Sequence, residues 1–244
     1  MKKGISVTLL DSNEPQRSDL IQSPHASRGE EFASFLRDLV YKFKIQRIVA
    51  CSDMEIRALS VYWQDKELAE FQLPSSKSLQ LFQDKLRASE VARNFGIKIP
   101  RKITADQTRE KYFIKDRFSF TRPKTHKIGH NWPPQESENF LNLEFIDGPE
   151  YSLDTFLETN NEVLHYRFRE RLNITNGVAL DKHFVNELNL QTRFFEVIRE
   201  HKLYGFACSQ FIKSNENFYF IETNPRPGGG TYHSLEDEFL LRLR

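Results

Sequence analysis

The chain has 244 residues with 35 basic and 34 acidic side chains, a net charge of +1 that gives no long-range field to gather nucleic acid or an anionic membrane. Its 39% hydrophobic content, with 21 phenylalanines, is ample for one large or two small cores. Only two cysteines occur, Cys51 and Cys208, and no run of about 18 apolar residues, so a disulfide framework, a cysteine-based zinc site, a signal peptide and a membrane span are not expected, and a reduced cytoplasmic compartment is. Ile5 to Leu10 reads as a buried strand ending at Asp11, followed by a polar loop to about Gly29. Phe32, Phe35, Leu36, Leu39, Val40 and Phe43 recur at three- and four-residue steps, the stripe of an amphipathic helix. A second strand is expected over Arg47 to Cys51, and Ser52 with Glu55 forms a capping box for a helix through Trp63. Strand, helix, strand, helix implies a right-handed parallel crossover. No Gly-x-Gly-x-x-Gly turn accompanies it, so no dinucleotide site is assigned.

The loop around Leu73 to Ser78 divides the chain into expected domains of 1–76 and 77–244. A helix is expected from Leu79 to Phe95, stopped by Gly96 with Pro100 beyond. Lys111 to Lys115 is a short strand with a lysine at its end. Phe140 to Ile146 is another, and Asp147-Gly148 before the run at Tyr151 has the pattern of a hairpin turn. Asn160-Asn161 is a second hairpin turn. The strand after it, Val163 to Leu172, carries Arg167, Arg169 and Arg171 on one face, either toward an anion-binding cleft or toward water. Gly177 breaks the chain before a helix expected from about Asp181 to Lys202. Near the carboxy end a short helix is expected over 234–244, with Ser234 and Asp237 as its capping box, and His233 has no partner at metal-ligand spacing.

The chemistry concentrates between these last elements. Phe206 to Lys213 and Phe218 to Asn224 read as paired strands joined by a turn, which sets Gln210 opposite Glu222 to within one residue of register. Glu222 and Asn224 lie two apart on one strand face, and Pro225 and Pro227 hold Arg226 just beyond, before Gly228-Gly-Gly. A carboxylate and two amide oxygens suit magnesium, with manganese as its alternative, and the arginine suits a phosphoryl group in transit. The plain alternative is a solvated strand end followed by ordinary loop residues.

The Glu-Thr-Asn-Pro-Arg-Pro-Gly-Gly-Gly string with a glutamine on the preceding strand resembles the metal and phosphate signature of ATP-grasp enzymes, most of all the carbamoyl phosphate synthetase-like branch, and also D-alanine:D-alanine ligases. Asp84-Lys85 and Gly96-Ile-Lys-Ile-Pro100 resemble that family's lysine helix and following turn. The resemblance implies a mixed α/β and α+β fold: a truncated Rossmann-like lobe over 1–76, then a two-subdomain ATP-grasp domain over 77–244. That lobe starts at what would be the family's second strand, so either the first strand-helix unit is missing or the start is misplaced.

The resemblance also implies site roles. Lys85 and Lys115 hold nucleotide phosphates, Glu144, Phe145 and Ile146 hold adenine, and Glu150 holds the ribose. Gln210, Glu222 and Asn224 ligate magnesium, while Arg226 and Asn224 serve the reaction. The flap after Lys115 has a single glycine, at Gly129, and Arg117, Arg122, Lys124 and Lys127 are expected to replace its backbone contacts. The implied activity is that of an ATP-dependent carboxylate-amine ligase passing through an acyl phosphate. It needs no protein nucleophile, in keeping with the lack of a Ser-His-Asp or Cys-His arrangement. The partners implied are a small carboxylic acid and an amine, with a homodimer left open. The alternatives are an ATP-binding module without turnover, a kinase-like phosphotransferase and a purely structural role.

Overall fold

The computed structural model describes residues 6, 8–13, 18, 20–63, 73–104, 111–118, 127–129, 138–175, 178–228 and 231. Arg122, Lys124, the side chain of Lys127, Gly177, His233 and the 234–244 helix lie outside the described residues. Contacts divide the chain into Met1–Phe71 and Gln72–Arg244.

In the first unit, β1 (Leu9–Asp11) pairs in parallel with β2 (Leu20–Gln22), where the sequence suggests only a polar loop. Two adjacent apolar residues, Leu20 and Ile21, are too brief a run to announce a strand. Helix α1 (Glu30–Phe43) buries Phe32, Ala33, Leu36, Leu39 and Val40, as the helical stripe requires, though Phe43 at its end is exposed. Arg47–Cys51 is not a strand: Arg47 makes an isolated bridge and the rest is irregular, with Val49 and Cys51 exposed. Ser52 and Glu55 form the expected capping box on α2 (Asp53–Tyr62), which packs on α1.

In the second unit, the helix expected over 79–95 is two helices, α3 (Ser76–Gln83) and α4 (Lys85–Asn94). Asp84 between them is extended, and its carboxylate accepts from the N–H groups of Leu86 and Arg87, capping α4. A polar residue that satisfies new N–H donors competes with helix continuation. Strand β3 (Tyr112–Asp116) lies between β4 (Lys127–Gly129) and β5 (Phe140–Glu144) in an antiparallel three-stranded sheet.

The second sheet has five antiparallel strands: β6 (Glu150–Leu157), β7 (Val163–Thr175), β8 (Val178–Phe184), β9 (Gly205–Ser214) and β10 (Asn217–Asn224), in the order β10-β9-β6-β7-β8. Asp147-Gly148 is therefore not a hairpin turn; it carries the chain from one sheet to the other. Gly148 is required there, since its φ is 154° and a Cβ would stand 1.8 Å from the Lys213 carbonyl oxygen. The helix expected from Asp181 is also absent at its start. Residues 178–184 alternate as an edge strand on β7, and α5 (Leu188–Glu200) begins only afterwards.

Side chains alternate sharply across this sheet. Tyr151, Leu153, Phe168, Phe211 and Phe220 face one way and pack on Phe82, Ala88 and Ala92 of α3 and α4 and on Phe194, Val197 and Ile198 of α5. Glu150, Ser152, Asp154, Arg169, Arg171 and Gln210, at the alternate positions, face the other way. The arginines of β7 thus do not form a solvated face: Arg169 and Arg171 are buried. Phe220 pairs with Phe211 and Glu222 with Gln210, so Ile221 is a bulge residue. In a regular strand that kept Ile221 in the ladder, Phe220 and Glu222 would share a face, and the carboxylate would enter the phenylalanine core. Among the described residues no helix is long and apolar enough to cross a membrane.

Candidate nucleotide and metal site

Three elements bring charge to one point on the polar side. Lys85 opens α4, Lys115 sits on β3, and Glu222 projects from β10 just past the bulge. The Glu222 carboxylate lies 3.5 Å from the Lys115 ammonium and 3.9 Å from that of Lys85. Lys115 also donates to the Ile221 carbonyl oxygen at 2.8 Å, the group a bulge releases from the ladder. Both ammonium groups are buried. Two positive groups and one negative leave the cluster with one net positive charge, which suits a phosphate chain.

Burial pushes Glu222 upward, but Lys115 and Lys85 outweigh it and hold the carboxyl at about 2, against an ordinary 4.5. Burial brings Lys115 down to about 8 from 10.5, against the pull of Glu222. The ammonium is therefore lost as pH rises through about 8, while the unfolded chain still holds that proton. Two results follow: stability rises with pH from about 8 to 10.5, as the cost of burying the ammonium is relieved, and phosphate loses one cation as pH passes about 8. ATP affinity in metal-free buffer is expected to weaken from about pH 7 to about pH 10, and Lys115→Arg to flatten that dependence. Calorimetric titration at several pH values measures both.

The other expected metal ligands flank Glu222. Asn224 donates its amide N–H to Glu222 Oε1 at 3.3 Å, which turns its own amide oxygen away from that carboxylate. Gln210 stands opposite Glu222 on β9, within the one residue of register that the sequence leaves open, and its Oε1 accepts from Arg171 at 3.4 Å. Arg171 also grips Glu150. Hydrogen bonds and register thus link Glu150, Arg171, Gln210 and Glu222, from four different strands, into one polar group. A carboxylate with two neighbouring amide side chains is a donor set that fits a hard divalent cation, and the two ammonium groups fit phosphate oxygens.

Arg226 follows on the loop, its N–H bonded to the Asn224 carbonyl at 2.8 Å and its guanidinium to the Pro227 carbonyl at 3.2 Å. At the expected adenine hinge, the N–H of Glu144 is bonded to Arg101 and that of Phe145 to Lys111, whose ammonium stands 3.7 Å from the centre of the Phe145 ring. The Glu144 carboxylate accepts from the Arg101 N–H at 2.9 Å. Of the three expected hinge residues, Glu144 and Phe145 therefore have their N–H groups engaged within the protein.

Arg117 does not take the expected phosphate role. Its guanidinium clasps Asp84 through two bonds, Nε to Oδ1 at 2.8 Å and Nη2 to Oδ2 at 2.7 Å. Burial pushes Asp84 upward, but Arg117 and the capped N–H groups hold it below the ordinary carboxylate range. With the Lys85 N–H bonded to the Arg117 carbonyl at 2.9 Å, this clasp ties the start of α4 to the end of β3 and fixes the two site lysines relative to each other. Asp84 is adjacent to Lys85 in sequence, but its partner is distant, and no spacing pattern joins them.

A family model described as an ATP-grasp domain matches residues 82–230. Among solved structures, biotin carboxylase from Campylobacter jejuni superposes with a TM-score of 0.67 at 14% identity, covering 88% of this chain and 57% of that one. N5-carboxyaminoimidazole synthetase from Staphylococcus aureus gives 0.63 at 17% identity, covering 88% and 61%. L-amino acid ligase from Bacillus licheniformis gives 0.56 at 12% identity, covering 88% and 57%. The chain therefore spans about three fifths of the length of these structures, and the likeness is one of fold. No curated protein sequence matches it. With the family match running from the end of α3, just before Lys85, to the loop beyond Arg226, the chain belongs to the ATP-grasp family.

Proposed function

We propose that this protein is an ATP-dependent carboxylate-amine ligase that activates a small carboxylic acid as an acyl phosphate and passes it to an amine or ammonia. The observation that carries this reading is the meeting of Lys85 and Lys115 on the carboxylate of Glu222, with Gln210 in register beside it. Lys85 and Lys115 bind the phosphates of ATP, and Gln210, Glu222 and Asn224 hold magnesium, with manganese as a substitute. When bound, the cation draws charge from the transferring phosphoryl group. Arg226 faces the same group and stabilises its charge as it spreads. Ile146, with Glu144 and Phe145, receives adenine, and Glu150, steadied by Arg171, takes the ribose hydroxyls.

The structural relatives support the nucleotide part of this reading. The C. jejuni biotin carboxylase is a complex with a form of ATP, the S. aureus synthetase holds ADP, and a 2-oxoglutarate carboxylase from Hydrogenobacter thermophilus holds magnesium-ADP and bicarbonate. The carbamoyl phosphate synthetase-like affiliation, the division into a truncated Rossmann-like lobe over 1–76 and an ATP-grasp domain over 77–244, and a cytoplasmic location belong to the same proposal. One observation favours a nucleotide-binding module without turnover: Arg117, a cation the flap would need, is committed to Asp84.

Incubation with magnesium-ATP, a panel of carboxylic acids and a panel of amines separates the two. ADP and phosphate that appear only with one acid-amine pair, together with an amide of the summed mass less water, are expected. Tight ATP binding with no substrate-dependent ADP would assign the chain to binding alone, and a phosphorylated product would assign it to a phosphotransferase.

A further inference from the structure

Away from the metal ligands, the polar face of the five-stranded sheet holds a second buried charge. Asp154 on β6 is fully buried, and its Oδ2 accepts from Arg169 Nε at 2.8 Å. The register sets Asp154 opposite Cys208 on β9, and Cys208 opposite Asn224 on β10, so the carboxylate lies in the same transverse row as a proposed metal ligand. Its other oxygen, Oδ1, accepts from Thr231 Oγ1 at 2.8 Å. That hydroxyl in turn accepts from the Gly228 N–H at 2.7 Å, and the Thr231 N–H donates to the Gly228 carbonyl at 2.9 Å. Both main-chain groups of Gly228 are thereby held by one residue, and one hydroxyl serves as donor and acceptor at once. The loop also lies flush on the sheet, for a Cβ on Gly228 would stand 2.6 Å from Cys208 Sγ and 3.3 Å from Asp154 Oδ1.

Arg226 therefore sits between two fixed points: Asn224, still in the β10 ladder, and Gly228, pinned to the floor of the sheet. A buried, hydrogen-bonded ion pair is a stiff anchor, because neither partner can turn away without leaving a charge unpaired. We propose that Thr231 and the Asp154-Arg169 pair form a clip that positions Arg226 over the transferring phosphoryl group. The inference rests on the phosphoryl-transfer reading above. Thr231 is a positioning residue that acts through the loop and touches no nucleotide.

The test uses the full chain with magnesium-ADP alone and with magnesium-ADP plus aluminium fluoride, which imitates a phosphoryl group in transit and needs no identified carboxylate. Wild type is expected to bind the fluoride complex more tightly than ADP. Thr231→Val, isosteric but unable to bridge, is expected to lose about tenfold of that preference while ADP affinity stays within about twofold, and Thr231→Ser to restore it. Thr231→Ala is expected to behave as the valine variant does and covers the case in which valine prevents folding.

A full preference retained by Thr231→Val or Thr231→Ala overturns the clip alone. Failure of both variants to fold, with serine sound, makes Thr231 a stability residue and also overturns it. If wild type binds ADP with no preference for the fluoride complex, the role of Arg226 falls and the clip with it. If wild type binds no nucleotide at all, the proposed function itself falls.

Discussion

Glu222→Gln is expected to reduce magnesium-dependent ADP formation at least about a hundredfold, because one substitution removes both the only anionic ligand among the three proposed and the counter-charge of two buried ammonium groups. Gln keeps the volume, so the loss is electrostatic. With the carboxylate gone, Lys115 and Lys85 repel each other across a space that burial already makes unfavourable for charge, and Lys115 is expected to titrate below its present value of about 8. The variant should therefore bind ATP in metal-free buffer with an affinity that declines at a lower pH than wild type, while magnesium no longer improves it. A coupled ADP assay and calorimetry with and without magnesium measure the two effects. A variant that turns over within about twofold of wild type would remove Glu222 from the site and the proposed function with it.

Asp154→Ala is expected to have the largest effect on stability, about 3–5 kcal/mol, because it leaves the Arg169 guanidinium buried and unpaired. For a chain of this size that lowers the melting temperature by roughly 10 °C. The paired replacement Asp154→Leu with Arg169→Met should recover much of that loss, since two apolar side chains need no partner. By contrast, removing Glu187 from its half-exposed contact with Lys213, 3.9 Å away, should change stability by no more than about 0.5 kcal/mol. Thermal melts of the four proteins decide the matter, and an Asp154→Ala protein as stable as wild type would mean that the buried pair contributes little.

What the amino-acid sequence made legible was local chemistry and short-range register. A turn of Ser214-Asn-Glu-Asn217 between two apolar runs places Gln210 opposite Glu222 to within one residue, because a tight hairpin leaves little freedom in pairing; the bulge at Ile221 supplies the last step, and no spacing announces it. The capping box at Ser52 was equally plain, since its two hydrogen bonds lie within four residues. Long-range matters were not legible. Asp84 occupies a position that helical periodicity would carry through; its carboxylate caps α4 instead, and the Arg117 that holds it there comes from far along the chain. The inward spacing of Phe184, Leu188, Phe195 and Ile198 predicts a helix from about Asp181, yet β7 offered a free ladder and residues 178–184 took it as an edge strand. Asp154, Arg169 and Thr231 come from three distant stretches with no shared spacing, so their meeting is visible only in the folded chain.

The surplus residue in β10 has a genetic corollary. Lys115 is anchored by the main-chain oxygen of Ile221, and the half-buried Ile221 side chain takes no part in that bond. Position 221 should therefore tolerate a change of identity far better than a change of length: valine or leucine leaves the oxygen where it is, whereas an in-frame deletion of that single codon keeps the carboxylate on its proper side of the sheet but strips the ammonium of its nearest anchor. Codon loss and codon change at one site would thus have opposite consequences for a group carried on another strand.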